Sequence, residues 1–241
     1  MVKTVTDKTG KNTLDVIGEA DQFNHWMFRT ILPFSKGKIL EIGSGLGNIS
    51  TFFLDNENEI MLTDLREEYC DHLREKFGSR SNLMGVEQLD LINPDFENIY
   101  SEHLGNYDTV FALNVIEHIE DDNLSIRNCK KLLKNGGHLI ILVPSYQNLY
   151  NKFDEELGHF RRYTQKSLSN LFLKNNLTII HKQYFNLMGI AGWYLSGNLL
   201  KKESIPSQQM KIYNKLVPVW KILDFIVENK VGLSTIVIGR K

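Results

Sequence analysis

The chain has 241 residues, of which 28 are Lys or Arg and 29 are Asp or Glu, and 42% are hydrophobic. These proportions are typical of a soluble globular protein and exclude collagen, coiled coil and intrinsic disorder. The net charge of -1 gives no bulk attraction to phosphate backbones, so nucleic acid is a poor first partner.

Cysteine usage and hydropathy predict a reduced, cytoplasmic protein. The two cysteines, Cys70 and Cys129, lie far apart without neighbours at metal-ligand spacing, so the sequence predicts neither a disulfide nor a metal site. The first residues lack the apolar stretch of a secretory signal. The longest aliphatic run, residues 139–143, is too short to cross a membrane, and no transmembrane segment is expected.

Short strand-like runs alternate with segments of helical periodicity, which predicts a parallel sheet covered by helices. The strand-like runs are residues 38–42, 59–63, 83–88, 109–112 and 138–143. The helical segments are residues 48–55, 66–77 and 123–133, the last of them stopped by Gly136 and Gly137.

After residue 144 the alternation is lost. Residues 177–184 and 234–239 are predicted strands, separated by a long insertion whose first part, residues 185–200, carries no charge. That part is interpreted either as a hairpin covering the sheet or as an apolar lid over the acceptor or a partner surface. Residues 210–228 are expected to form a helix that packs in the core.

A glycine-rich loop follows the first strand, in the segment ILEIGSGLG. Gly43, Gly45 and Gly47 would let the backbone approach a ligand, and the turn is expected to present unpaired N–H groups at the sheet edge. The spacing differs from the G-x-G-x-x-G of dinucleotide-binding loops. Glu41, just upstream, would repel a pyrophosphate but suits a cation.

Two more acids end the following strands. Asp64 lies 19 residues after Gly45 (64 - 45), the spacing at which a carboxylate binds ribose hydroxyls in a βαβ unit. Asp90 could accept a hydrogen bond from an exocyclic amine. Each is also a favoured turn or N-cap residue, but their joint spacing favours a nucleoside site.

Together with the segments ALNVIEHIEDD and LLKNGGHLIILVPS, these residues resemble the class I S-adenosylmethionine-dependent methyltransferases. The resemblance implies a Rossmann-like, doubly wound α/β fold with seven strands, mostly parallel, an antiparallel last strand and a helical insertion before it. It implies one domain, with a helical lid at residues 1–35, a cofactor-binding core at 36–184 and 234–241, and an acceptor-side insertion at 185–233.

The resemblance also implies a set of S-adenosylmethionine-binding residues. The acid and glycine loop would hold the amino-acid end, Asp64 the ribose, and Asp90 the adenine amine. The lid helix would add contacts from the side chains of Trp26 and Arg29. The implied residues are Trp26, Arg29, Glu41, Gly43, Ser44, Gly45, Gly47, Asp64, Leu65, Asp90, Leu91 and Asn114.

The acceptor side is expected around His118 and the stretch FDEELGHFRRYT. Candidate catalytic residues are His118, His159 and Tyr163, and candidate acceptor-binding residues are His118, Arg161, Arg162, Tyr163 and Trp193. The adjacent arginines favour O-methylation of a carboxylate-bearing or other anionic small molecule or a peptide C-terminus, as in natural product biosynthesis.

Four alternatives stay open. One is N- or O-methylation of an apolar or lipid-linked acceptor with a His base. The others are a nicotinamide-dependent dehydrogenase, a noncatalytic cofactor-binding partner protein, and a nucleic-acid methyltransferase, whose N-P-P-Y signature is absent.

Overall fold

A computed structural model describes residues 8–199 and 206–241, which contain one seven-stranded sheet with the order β3-β2-β1-β4-β5-β7-β6. The strands are β1 Ile39–Ile42, β2 Ile60–Asp64, β3 Leu83–Gln88, β4 Tyr107–Leu113, β5 Leu133–Pro144, β6 Thr178–Phe185 and β7 Ser234–Arg240. Neighbouring strands among β1 to β5 pair in parallel, and β7 is antiparallel to both β5 and β6. The predicted fold, including its antiparallel last strand, is confirmed.

Helices cover both faces of this sheet. They are α1 Lys8–Gly18, α2 Asp21–Ile31, α3 Ser50–Asp55, α4 Glu67–Phe77, α5 Phe96–Ile99, α6 Asp122–Leu132, α7 Lys152–Glu156, α8 Gln165–Lys174, α9 Leu187–Trp193, α10 Ser207–Lys215 and α11 Val217–Ile226. Successive strand residues point to opposite faces, so Ile39 joins one apolar core with Phe53, and Leu40 joins the other with Phe172.

The end of α6 differs from its prediction. The helix ends at Leu132, and β5 starts at Leu133, because Leu133 already pairs with Tyr107 of β4. Gly136 and Gly137, interpreted as a helix stop, therefore lie within the irregular first part of the strand.

The insertion between β6 and β7 contains α9, a π-helical turn at Tyr194–Leu199, α10 and α11. Buried Asp224 of α11 accepts hydrogen bonds from the N–H groups of Asn186 and Leu187, so it ties α11 to the start of α9. Residues 200–205 of the predicted uncharged and insertion segments lie outside the described residues.

The expectation that residues 210–228 pack as one core helix is wrong. The helix is interrupted at Leu216, and α11 begins at Val217 with Pro218 in its first turn. Val217 is buried, whereas Phe225 is 79% exposed, because only one side of α11 packs against other described residues. Over the described ranges, no helix combines the length and the hydropathy that crossing a membrane requires.

Candidate active site

The glycine loop turns at the carboxyl end of β1. Gly43, Gly45 and Gly47 have φ values of +72°, +52° and +75°, which residues with a Cβ rarely adopt. A methyl group at Gly43 would overlap Val115, and one at Gly47 would overlap Phe77. The glycines are therefore required both by conformation and by close packing.

The N–H groups of this loop are used within the chain. Those of Gly43 and Ser44 donate to the Thr63 carbonyl oxygen at 2.8 and 2.9 Å, and that of Gly47 donates to the Ser44 carbonyl at 2.8 Å. The Gly45 N–H donates to Asp64 Oδ2 at 2.9 Å. The expectation of unpaired N–H groups is wrong at these positions, because the turn closes on the neighbouring strand β2. This pairing leaves a poor cradle for a pyrophosphate, which argues against a dinucleotide.

Two buried carboxylates support the loop. Glu41 is 4% exposed and accepts a hydrogen bond from Ser50 Oγ, and burial raises its pKa to about 7. Asp64 accepts from the N–H groups of Gly45 and Arg66. Burial raises the pKa of Asp64, while these two hydrogen bonds oppose the shift.

The end of β3 lies beside Asp64. The Asp64 carbonyl oxygen accepts a hydrogen bond from the Leu89 N–H at 2.9 Å, which places the half-buried Asp90 at the same sheet edge. The side chain of Leu65 is 56% exposed there, and that of Leu91 is buried. The structure thus brings together, at adjacent strand ends, the residues expected to bind ribose and adenine.

Helix α1 contacts the loop. Asn48 Nδ2 donates to the Leu14 carbonyl oxygen at 3.1 Å, and a Cβ on Gly45 would lie 3.2 Å from Leu14 Cδ1. Trp26 packs in the core against Phe185, with ring centroids 4.3 Å apart, and Arg29 is exposed. The contact of Leu14 with the loop was not predicted from the sequence. The cofactor roles of Trp26 and Arg29 stay predictions.

The end of β4 leads from the cofactor loop towards the acceptor side. Asn114 is exposed with a φ of +55°, and its N–H donates to the Leu142 carbonyl oxygen at 2.8 Å. The turn Ile116–His118 follows. Glu117 is fully buried, and both its carboxylate oxygens lack a hydrogen-bond partner among the described residues. Burial raises the pKa of Glu117 to about 7, against the opposing effect of nearby His159 and Arg162.

A second buried carboxylate, Asp154, organises the loop after β5. Its Oδ1 accepts from His159 Nδ1 at 2.8 Å and from Arg162 Nε at 2.9 Å, and these contacts lower the pKa of Asp154 against its burial. The rings of His118 and His159 lie 4.5 Å apart and nearly perpendicular. His159 therefore stands between Asp154 and the turn that carries Glu117 and His118.

The other predicted acceptor residues are engaged within the chain. Arg161 pairs with Asp122 at 2.9 Å, and the Tyr163 hydroxyl donates to the same carboxylate at 2.9 Å. The guanidinium of Arg162 is buried. The Trp193 ring packs over it, with its centroid 4.4 Å from Arg162 Cζ. Both arginines thus have carboxylate partners already.

Sequence reasoning missed Glu117 and Asp154 as site residues. Both lie in the motifs quoted for the acceptor side, but nothing in the pattern distinguishes them from exposed acids. The one local signal is the capping box in which the Asn151 side chain and Asp154 start α7.

Comparisons with known proteins place this fold among methyltransferase domains. A family model described as a methyltransferase domain matches residues 40–139. Probable polyketide synthase 42 of Dictyostelium discoideum is 31% identical over an alignment of 144 positions, which covers 52% of this chain and 5% of that protein. The chain thus spans only a small part of this relative.

Two solved structures share the fold. An S-adenosylmethionine-dependent methyltransferase from Archaeoglobus fulgidus has a TM-score of 0.60 and 15% identity, covering 92% of this chain and 94% of that one. Phosphoethanolamine N-methyltransferase 2 of Haemonchus contortus, solved with S-adenosylhomocysteine, has a TM-score of 0.62 and 17% identity, covering 98% and 59%. The chain therefore shares the fold of these S-adenosylmethionine-dependent methyltransferases, and its residues 40–139, which include the glycine loop and both strand-end acids, match a methyltransferase domain.

Proposed function

We propose that this chain is an S-adenosylmethionine-dependent methyltransferase whose acceptor must lose a proton, at an enolisable carbon or a hydroxyl oxygen. The observation that carries this proposal is the buried Asp154–His159 pair beside the turn of Glu117 and His118. When bound, S-adenosylmethionine supplies a methyl group on a sulfonium, and the C–S bonding pair returns to sulfur as the nucleophile attacks.

The cofactor would lie along the ends of β1, β2 and β3. Glu41 with the glycine loop would hold the amino-acid end, since a buried carboxylate suits an ammonium group. Asp64 would bind the ribose hydroxyls through the lone pairs that its two backbone contacts leave. The exposed Leu65 side chain would cover the adenine, and Asp90 with Leu91 would bind the adenine amine.

His159 is the better-supported base. A carboxylate can only accept, so the contact with Asp154 places a proton on Nδ1 and leaves Nε2 to take the acceptor's proton. Asp154 also holds the ring and stabilises the imidazolium that forms. The electron pair freed on the acceptor would then be available to the methyl group that the cofactor supplies, while His159 keeps the proton. His118, whose ring centroid lies 4.5 Å from that of His159, would orient the acceptor.

The expected carboxylate-bearing acceptor has less support. Arg162 is bound to Asp154 and to the Ser145 carbonyl oxygen, and Arg161 to Asp122 and the Glu120 carbonyl. A carboxylate is also ionised near neutral pH and would need no base. The similarity to a polyketide synthase favours carbonyl-rich natural products, whose carbons between carbonyl groups form enolates.

The proposal is tested by measuring S-adenosylhomocysteine formation with acetylacetone, phenol and benzoate as matched probes. We expect His159→Asn to reduce turnover of the first two by about 100- to 10,000-fold, with S-adenosylhomocysteine affinity unchanged. His103→Asn is the control, because His103 contacts Tyr107 and Glu87 outside this site. Preferential methylation of benzoate by the wild-type protein, or full activity of His159→Asn, would contradict the proposal.

A further inference from the structure

Three side chains on the acceptor side have the arrangement of a metal site. Glu117, His118 and His159 each offer a ligand atom, and these atoms all lie within 4.8 Å of one another. We propose that they bind a divalent transition-metal ion of the Zn²⁺ class beside the acceptor. One carboxylate and two imidazoles are the ligand set of catalytic zinc sites, which keep a further position open. Imidazole ligands make Mg²⁺ or Ca²⁺ a poor match.

Glu117 is the strongest evidence for a ligand. Its side chain is fully buried, and neither carboxylate oxygen has a hydrogen-bond partner in the described part of the chain. Buried polar groups nearly always have partners, because an unpaired one loses its hydration without compensation. The nearby guanidinium of Arg162 is bound to Asp154 and to the Ser145 carbonyl instead. A dication would supply the partner that Glu117 lacks.

The hydrogen-bond partners of His159 are those expected for a metal ligand. Ligating histidines usually donate their other ring nitrogen to a carboxylate, which sets the tautomer and the ring orientation. Here Nδ1 contacts Asp154 at 2.8 Å, and Arg162 holds that carboxylate in turn. Nε2 is thereby left for the ion.

The geometry needs only a small adjustment. With bonds of 2.0–2.1 Å, tetrahedral ligand atoms lie about 3.3 Å apart. The three ligand atoms lie within 4.8 Å of one another, so none of the pairs has to shorten by more than roughly 1.5 Å. His118 is exposed, so its side chain can rotate towards Glu117 and His159 without moving the core.

The role of the ion rests on the proposed function, although binding of the ion does not. The open position would face an oxygen of the acceptor and stabilise its anionic form. In that state His159 Nε2 is a ligand, and the proton of the acceptor passes to solvent water. Without the ion, Nε2 takes the proton itself.

The test is a titration of the chelator-treated full chain with Co²⁺, which gives visible absorption bands when bound by nitrogen and oxygen ligands. We expect one Co²⁺ per chain, displaced by Zn²⁺, and binding at least about 10-fold weaker in Glu117→Gln and in His118→Asn. The second variant changes an exposed residue, so its folding is secure. His103→Asn, at the remote pair with Glu87, should bind like the wild type. Absence of bound Co²⁺ in the wild type, or unchanged binding in both variants, would overturn the metal site.

Acceptor turnover with chelator and with Zn²⁺ separates the two proposals. Loss of turnover in His159→Asn without any metal binding by the wild type would overturn the metal site and leave the proposed function intact. Stoichiometric Co²⁺ binding without turnover of acetylacetone or phenol would overturn the proposed function and support the metal site.

Discussion

The two ends of the site are built differently, although β1 and β4 are neighbours in one sheet. The cofactor end depends on backbone conformation: three glycines with positive φ, and N–H groups paired with Thr63 and Asp64 one strand away. The acceptor end depends on side chains, with Asp154, His159 and Arg162 forming a buried charged network. The proposed cofactor end thus relies on a loop and the ends of neighbouring strands, whereas the proposed acceptor end relies on contacts between separate segments.

The largest expected effect tests whether the acceptor-side arginines are structural. Arg162→Ala leaves Asp154 buried without its ion pair and should lower the free energy of unfolding by about 3–5 kcal/mol. Arg161→Ala removes a partly exposed pair with Asp122 and should cost less than about 1 kcal/mol. Urea denaturation measures both. Equal costs would remove the distinction between a buried network and a surface pair.

The next effect belongs to the cofactor end. Asp64→Ala removes the acceptor of two backbone hydrogen bonds and the proposed ribose ligand, so S-adenosylhomocysteine should bind about 100-fold more weakly by calorimetry. Asp71→Ala, which removes an exposed acid paired with Arg74, is the matched control. Unchanged binding by Asp64→Ala would locate the adenosyl group elsewhere.

Two glycine substitutions separate strain from overlap. Gly105 has a φ of +64° with open space around it, so Gly105→Ala should cost about 1 kcal/mol from strain alone. Gly43→Ala adds overlap with Val115 and should cost about 2 kcal/mol, part of which Val115→Ala restores. Thermal unfolding compares them. Identical shifts would show that the loop relaxes freely.

The smallest effect is a pH dependence from Glu41. Because its pKa rises from 4.5 to about 7, the folded protein binds the proton more tightly, and Glu41 makes stability fall as pH rises between these values. S-adenosylhomocysteine, which needs the ionised carboxylate, should bind about tenfold more tightly at pH 8 than at pH 6. In Glu41→Gln, denaturation should show no fall in stability from this group as pH rises, and calorimetry should show no tenfold change in S-adenosylhomocysteine affinity. A wild-type affinity independent of pH would contradict this role.

The arrangement of the glycine loop and the strand-end acids was largely predictable because its signals are local. An apolar strand, alternating glycines and acids at strand ends specify neighbours through the regular geometry of parallel strands. The pairing of the loop N–H groups was not predictable, since it depends on how closely the turn approaches Thr63.

The acceptor end was less predictable for a physical reason. Arg162 and Asp154 are both of a type usually found in solvent, and only the folded loop buries them together under Trp193. The same holds for Glu117, whose burial follows from the turn after β4 rather than from its sequence neighbours. Phe225 is the converse case, an aromatic residue expected in the core that is largely exposed.

The most direct test of this account is a crystal structure of the chain with S-adenosylhomocysteine. We expect the ribose hydroxyls on Asp64, the adenine beside Leu65 and Asp90, and the sulfur directed towards the turn that carries Glu117 and His118. An adenosyl group bound away from Asp64, or a sulfur directed away from that turn, would contradict the proposed division of the site into a cofactor end and an acceptor end.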